Sequence, residues 1–493
     1  MPMLAALLLV PILAAAACLA LPADRPRRAV LVLAACLHTL LTAATFAYPP
    51  TPAWGGLLEL DAPGQLFLTL ASLLFLAAAI YATGYLRAEG SGAKRDFQDG
   101  ATFSNAPERI FTACLCLFLA SMTLVASTRN LSVLWVGIEA TTLSSAPLIY
   151  FHRHRRSLEA TWKYLVICSV GIALALLGNI LFSVAFFDPA TPLPSMDLAA
   201  MLPRAAGAAK PWLRAAFIFV LVGYGSKMGL APMHNWLPDA HSQSPSLVSA
   251  LLSGALLNCA FLGILRAGQV LAAAGMADFS GELLVLFGLV SLATAAVFIV
   301  GLGDYKRLLA YSSVEHMGIL ALGVGIGGGA TFGAMLHAVN HSLTKGALFL
   351  LSGNILAVYH TRSCHDARGV SRALPVTAAL WLAGFLAICG SPPFGVFVSE
   401  LTILQAMLAG GHTVAAALFL ALLAVIFVGM SVPVLRMVQG PLPPATPRPG
   451  PESPLAVLPP LALLCATLVL GLYLPRGLSA FLHQAASALV LGG

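Results

Sequence analysis

Charged residues are scarce in this chain. Asp, Glu, Lys and Arg make up 9% of its 493 residues, whereas hydrophobic residues make up 59%. A soluble globular protein has about a quarter charged residues, because it must cover its surface with them. The composition excludes a soluble globular fold and indicates a protein that is embedded in a membrane.

Sequence motifs that hold redox centres or nucleotides are also missing. The nine cysteines are scattered, and none of them forms a CxxC pair or another spacing that is typical of cluster ligands. Neither a glycine-rich dinucleotide motif after a strand nor a P-loop occurs. We therefore expect no metal and no cofactor in this chain, and no redox chemistry by this chain alone.

Long apolar runs, in contrast, recur along the whole sequence. A helix needs about 20 apolar residues to cross the hydrocarbon core of a bilayer. The sequence predicts an all-α, polytopic membrane protein of about fourteen transmembrane helices. The runs lie at approximately 2–21, 29–48, 65–86, 108–127, 131–151, 161–186, 213–232, 246–265, 280–301, 308–327, 331–358, 374–408, 412–435 and 454–474.

The basic residues predict how these helices are oriented. If the helices alternate in direction, 17 Lys and Arg residues fall in loops on one side and 6 on the other. Loops rich in Lys and Arg stay on the cytoplasmic side, so both termini are expected outside the cytoplasm. The net charge of +7 is then a signal of topology, and it predicts no nucleic-acid partner.

Two of the apolar runs are interrupted by glycine and proline. One contains Lys227 and is broken at Pro232, and the other is broken at Pro392 and Pro393 and contains Glu400. Paired interrupted helices in the two halves of a transporter point to its ion sites. The spacing agrees, because Glu139 precedes Lys227 by 88 residues and Glu315 precedes Glu400 by 85.

This pattern predicts two five-helix repeats, at about 108–266 and 280–436. We divide the chain into three N-terminal helices (1–107), an ion-conducting domain (108–435), and a linker with one last helix (436–493). The linker is rich in proline between Gly440 and Pro451, which favours an extended conformation.

Several ionisable residues lie within the first predicted repeat. A charge at bilayer depth needs a partner, a water-filled cavity or a proton that can leave. Glu139 has no basic neighbour on its own helix, so its expected counter-ion is Lys227. The alternative is a static ion pair that only fixes helix packing. Lys163 lies near a helix start, where it either joins the pathway or extends to the membrane surface.

A second group of ionisable residues follows one helix in the other repeat. His337, His341 and Lys345 are spaced at i, i+4 and i+8, which places them on one helix face. Two such histidines can bind zinc, but no third ligand is evident nearby and Lys345 would repel the cation. We favour a proton relay. The preceding predicted helix, at 308–327, adds Glu315 and His316 to this relay, and the second broken helix adds Glu400.

These residues together resemble a known family. The runs around Trp135 to Glu139, Lys227 to His241, Asp304 to Gly318 and His337 to Gly353 resemble the antiporter-like proton-pumping subunits. Such subunits are shared by respiratory complex I, membrane-bound NiFe hydrogenases and Mrp-type antiporters. The segments from Glu139 to Thr142, Ile167 to Ala175 and Ser312 to Gly318 look closest to component F of hydrogenase-4-type complexes.

The resemblance implies roles for individual residues. Glu139 and Lys227 would be the ion pair of the first half-channel, Lys345 the central relay lysine with His337 and His341 beside it, and Glu400 the terminal carrier. Several relatives carry a lysine or histidine in the eighth helix, where this chain has Asn258. A relay at that point would need water.

The resemblance also implies a function and partners. We expect a proton-translocating subunit in the cytoplasmic membrane of a prokaryote, together with other antiporter-like subunits. A peripheral redox module would drive it, and its NiFe centre and iron–sulfur clusters would lie on partner subunits. The main alternative is a Mrp-type cation/proton antiporter without redox chemistry, with sodium in place of protons left open; a third is a stand-alone solute transporter.

Overall fold

The computed structural model describes residues 3–89, 92, 94–95, 100, 102–187, 195–443 and 451–489. This part of the chain is helical apart from one short antiparallel hairpin, β1 (Lys94–Arg95) with β2 (Thr102–Phe103). The all-α prediction is therefore confirmed. The first three helices are α1 (Met3–Ala20), α2 (Asp24–Ala47) and α3 (Ala62–Glu89).

The first predicted repeat consists of helices that pack next to one another along the chain. One of them is interrupted, between α8 and α9, and another continues through a π-helical turn at Leu252–Leu256. The helices are α4 (Glu108–Ala126), α5 (Leu131–Ile149), α6 (Arg155–Ala185), α7 (Leu198–Met201), α8 (Lys210–Met228), α9 (Leu237–Gln243), α10 (Ser246–Leu251) and α11 (Leu257–Ala273).

The second predicted repeat has the same order, again with an interrupted helix as its fourth member, between α16 and α17. The division into repeats and domains stays a prediction. The helices are α12 (Ala277–Ile299), α13 (Tyr305–Ile326), α14 (Gly329–Tyr359), α15 (Val370–Ala373), α16 (Pro375–Ile388), α17 (Gly395–Ala409) and α18 (Thr413–Gln439). The predicted linker lies partly outside the described residues, and α19 (Pro454–Leu472) and α20 (Arg476–Ser487) follow it.

Twelve of the described helices are long and apolar enough to cross a membrane, and α16 and α17 are shorter apolar helices. The predicted number of fourteen spans stays a prediction. Helix α20 was not predicted from the sequence. Its Leu482 and Ala485 are buried, and it packs against α3 and α14.

The two breaks have local causes in the sequence. Gly229 ends α8 with a φ of 83°, a conformation that glycine adopts without steric cost, and Pro232 follows before α9 begins. In the second repeat Gly390 has a φ of 60°, and Pro392 and Pro393 stand between α16 and α17. The predicted interruptions are confirmed at both places.

Helix α14 lies at the centre of the bundle. It packs against α3, α10, α13, α16, α17 and α19, and nearly all of its residues from Ala330 to Ile355 are buried. This position places His337, His341 and Lys345 inside the protein. A helix surrounded by other helices excludes lipid from its side chains.

The orientation of the bundle is testable in the loop between α5 and α6. A cysteine introduced at Arg153 or Arg155, which are both exposed, should react with a membrane-impermeant thiol reagent only after the cytoplasmic side has been opened. The parent protein, with its own nine cysteines, is the control. Labelling from outside intact cells would contradict the predicted orientation.

The same loop contains a histidine that predicts a dependence of stability on pH. Burial lowers the pKa of His152 to about 4, and its ring nitrogens contact Tyr85 Oη at 3.1 Å and Asn105 Oδ1 at 2.8 Å. The unfolded chain therefore binds this proton at a higher pH than the folded chain, so stability is lost as the pH falls from about 6.5 towards 4.

We expect this histidine to lower the free energy of unfolding by at most about 2 kcal/mol at pH 5 relative to pH 7. Thermal unfolding of the purified protein at both pH values should show a smaller drop for His152→Gln than for the parent. His365→Gln, which changes an exposed loop histidine, is the control. An equal drop in all three proteins would contradict the assignment to His152.

Candidate functional site

Lys227 lies in the last turn of α8, directly before the first break, and is fully buried. Its Nζ donates hydrogen bonds to Thr142 Oγ1 at 2.7 Å and to Tyr164 Oη at 2.6 Å. The carbonyl groups at a helix C-terminus favour a cation. The broken helix therefore supplies part of the environment that a buried ammonium needs.

Glu139 precedes Thr142 by about one turn on α5 and is half-buried. Its carboxylate accepts long hydrogen bonds from Thr142 Oγ1 at 3.4 Å and from Ser169 Oγ at 3.5 Å. Thr142 thus stands between Glu139 and Lys227. Among the described residues these two charges are joined through this hydroxyl, in place of the direct ion pair that the sequence suggested.

Lys163 does not reach this group. Its side chain is 45% exposed, and Nζ forms ion pairs with Glu159 Oε1 at 2.7 Å and Asp239 Oδ2 at 2.8 Å. Asp239 also binds Arg307. These contacts tie α6, α9 and α13 together at the surface, which is the environment expected of a lysine that extends to the membrane boundary.

The second half contains a chain of contacts between buried histidines. Nδ1 of His316 on α13 lies 2.9 Å from Nε2 of His337 on α14, and Nδ1 of His337 lies 2.9 Å from Ser399 Oγ on α17. His341 packs against His316 with ring centroids 5.1 Å apart. The helices α13, α14 and α17 therefore bring two histidine rings and a serine hydroxyl into direct contact.

Two carboxylates flank these rings. Glu315 Oε2 lies 4.0 Å from His316 Nε2, and both residues are buried. Glu400, also buried, packs its carboxylate against Gly390 in the second break, where a Cβ atom would lie 2.0 Å from Oε2. A cavity of about 330 Å³, lined by Glu400 and Cys389 among others, adjoins this carboxylate.

Lys345 lies two turns along α14 from His337 and is fully buried. Its Nζ donates to the carbonyl oxygen of Leu309 at 2.7 Å. In the described part of the chain, neither ring nitrogen of His341 has a hydrogen-bond partner, and the same holds for His316 Nε2 and Glu400 Oε1. Buried polar atoms of this kind are normally satisfied by ordered water.

Asn258 connects the two halves. Its Nδ2 donates to Ser342 Oγ on α14 at 2.8 Å and to the carbonyl oxygen of Gly254 at 2.9 Å. It follows the π-helical turn at Leu252–Leu256, and such turns are frequent at functional sites. An amide cannot carry a proton as lysine or histidine would, and the expectation that a relay at Asn258 would need water stays a prediction.

Donor atoms of His316, His337 and Glu400 lie within 4.8 Å of one another, which the sequence did not predict. Two nitrogens on a tetrahedral zinc ion lie about 3.3 Å apart. The contact between His316 and His337 is shorter, at 2.9 Å, and is a hydrogen bond. We therefore interpret this cluster as a hydrogen-bonded chain.

Sequence analysis missed several polar residues of the interior. Tyr164 and Thr142 are the direct partners of Lys227. Lys306, which the sequence placed in a loop, is fully buried and donates to the carbonyl oxygen of Ser244 at 2.6 Å. His241 is buried against Phe349, with ring centroids 5.0 Å apart. Only Lys306 and His241 carried a signal, since both are ionisable residues beside an apolar run.

An all-helical membrane bundle with two interrupted helices and a buried set of Glu, Lys and His residues defines an antiporter-like membrane subunit. The family model described as NADH:quinone oxidoreductase/Mrp antiporter, TM, matches residues 128–426. The chain belongs to this family, as the resemblance in its sequence indicated.

Proteins of different complexes are similar to this chain. A hydrogenase-4 component F homolog from Methylacidiphilum infernorum is 39% identical over 74% of this chain and 76% of its own length. An NADH-quinone oxidoreductase subunit N from Desulforudis audaxviator is 29% identical over 85% of this chain and 81% of its own length. A chain of the Mrp complex from Dietzia has the same fold, with a TM-score of 0.84 at 21% identity over 99% of this chain and 97% of that one.

Proposed function

We propose that the protein translocates protons across the cytoplasmic membrane as a subunit of a redox-driven complex. The observation that carries this proposal is the contact of His316, His337 and Ser399 beside Glu400, inside an apolar bundle. Imidazole and hydroxyl groups both donate and accept hydrogen bonds, so a proton can enter such a chain at one end while another leaves at the other.

Residues of the first predicted repeat would supply protons to the hydrogen-bonded histidines. A buried ammonium is favoured by a nearby carboxylate and disfavoured by the loss of water. Thr142 stands between Glu139 and Lys227, so a change in their separation would switch Lys227 between holding a proton and releasing it. Release would proceed past Asn258 and Ser342 towards His341 and Lys345, with water as the carrier.

The second half would deliver the proton to Glu400. His316 and His337 connect α13, α14 and α17 directly, and the cavity beside Glu400 offers a place for release. Glu315 and Lys345 would balance the charge on the hydrogen-bonded histidines, since they are buried ionisable groups of opposite sign. The mechanism requires no redox group in this chain.

We assign the complex to the membrane-bound hydrogenase or complex I type, with antiporter-like partners and a peripheral redox module that holds the NiFe centre and iron–sulfur clusters. The greater identity to the hydrogenase-4 component F homolog supports this assignment. The fold shared with the Mrp complex keeps a cation/proton antiporter as the second candidate.

Metal analysis of the native complex distinguishes these candidates. The chain is purified with its partners in mild detergent, and nickel and iron are measured per mole of complex. Nickel with iron indicates a hydrogenase, and iron without nickel indicates a complex I-like oxidoreductase. A complete complex that contains neither metal would contradict the redox-driven proposal and favour the antiporter.

A further inference from the structure

A groove runs along the exposed side of α18 and shares Ala424 with the cavity that adjoins Glu400. It has a volume of about 590 Å³ and is lined by Val300, Gly301, Val425, Val428, Gly429 and Val432. Several of these side chains are well exposed, with Val428 at 62% and Val300 at 58%. We call this surface the α18 groove. It is apolar over most of its length.

Gly429 shapes the floor of the groove. A Cβ atom at this position would lie 2.9 Å from Ile299 Cγ2 and 3.4 Å from Val300 Cγ2. The glycine therefore lets α18 approach the end of α12 closely, while the valines on either side form the walls. A larger side chain here would have to displace Ile299 or Val300 and would change the shape of the groove.

One end of the groove is basic. Arg436 and His365 line it, and Arg368 packs its side chain against Gly440 at the end of α18. Arg368 Nε donates to the carbonyl oxygen of His365, and among the described residues neither Arg368 nor Arg436 forms an ion pair. The groove thus combines an apolar channel with the guanidinium group of Arg436 at one end, and Arg368 lies close to that end.

The length of the groove matches one leaflet of a bilayer. Val425 and Arg436 are eleven residues apart on α18, which corresponds to about 16 Å along the helix. Half of the hydrocarbon core is about 15 Å thick. With the valines at the level of the bilayer centre, Arg436 reaches the headgroups of the leaflet that the basic loops face.

We propose that the α18 groove binds a phospholipid with an anionic headgroup from the cytoplasmic leaflet. Its acyl chain would lie along Val425, Val428 and Val432, and its phosphate would bind Arg436 and Arg368. Arginine binds phosphate oxygens through paired N–H groups. The charge near the groove favours this occupant over a purely apolar helix of another subunit, which would bring no anionic group to the two arginines.

Native mass spectrometry tests the proposal on the whole purified complex. The complex is exchanged into nanodiscs of phosphatidylcholine with a minor share of phosphatidylglycerol, and the lipid that stays bound is identified. The parent should retain phosphatidylglycerol in preference to phosphatidylcholine. Arg368→Gln/Arg436→Gln should lower the retained phosphatidylglycerol by about tenfold, because each basic residue near the surface contributes to binding.

Two further variants separate charge from shape. Gly429→Leu keeps both arginines but changes the shape of the groove at its floor, and it should also lower retention. Arg153→Gln/Arg155→Gln removes two exposed arginines at the end of the loop between α5 and α6 and at the start of α6, and it should leave retention unchanged. Equal phosphatidylglycerol on the parent and on both groove variants would overturn the proposal. Crosslinking of Gly429→Cys to another subunit would also overturn it, because a helix would then occupy the groove.

Discussion

Lys227→Ala is expected to reduce proton translocation to the background of vesicles without the complex, while the complex still assembles. The change removes the titrating group at the end of α8, and with it the donor to Thr142 and Tyr164. Glu139 is half-buried and keeps contacts with Thr142 and Ser169, so the loss leaves no isolated carboxylate in the core.

The measurement is proton uptake into vesicles that contain the purified variant complex, at matched protein levels. Lys163→Ala provides a matched removal of a lysine, because that side chain is half-exposed and bonded to Glu159 and Asp239. We expect this control to retain most of the parental rate. Pumping by Lys227→Ala at the parental rate would show that Lys227 only stabilises the packing of the helices.

Glu400→Gln is expected to block translocation, whereas Glu400→Asp keeps part of it. A carboxylate that carries protons must ionise and be reprotonated in each cycle, which glutamine cannot do. Aspartate retains the acid but is one methylene shorter, so its carboxylate withdraws from Gly390 and from the adjoining cavity.

A purely structural role for Glu400 predicts the reverse order, because glutamine preserves length and hydrogen bonding. Both variants are compared in vesicles for proton uptake, with the amount of assembled complex as the control for folding. A rate for Glu400→Gln equal to or above that of Glu400→Asp would remove Glu400 from the pathway. The proton pathway would then end at Lys345 and the histidines of α14.

The histidines show which parts of the site a sequence pattern can predict. The i, i+4, i+8 spacing placed His337, His341 and Lys345 on one face of α14, and the structure agrees. The spacing carried no information about His316 and Ser399, which contact His337 from α13 and α17. Periodicity describes one helix, whereas contacts between helices depend on how the helices pack.

For Lys163 and Lys306 the hydropathy of the sequence does not predict burial correctly, and the two errors have opposite sign. Lys163 lies within an apolar run and is nevertheless half-exposed, because its helix face looks outward. Lys306 was counted as a loop residue, yet it is fully buried at the start of α13, against Ser244. Hydropathy averages over a window, so it cannot tell which side of a helix faces the bundle.

The sequence by itself determined that this chain is a helical membrane protein with two interrupted helices and ionisable residues at bilayer depth. These properties follow from composition, run length and the placement of glycine and proline, which act locally along the chain. Only the tertiary structure decided that Thr142 stands between Glu139 and Lys227, and that α13, α14 and α17 meet at His337. All of these contacts except the one between Thr142 and Glu139 join different helices, and their geometry is fixed by side-chain packing between helices.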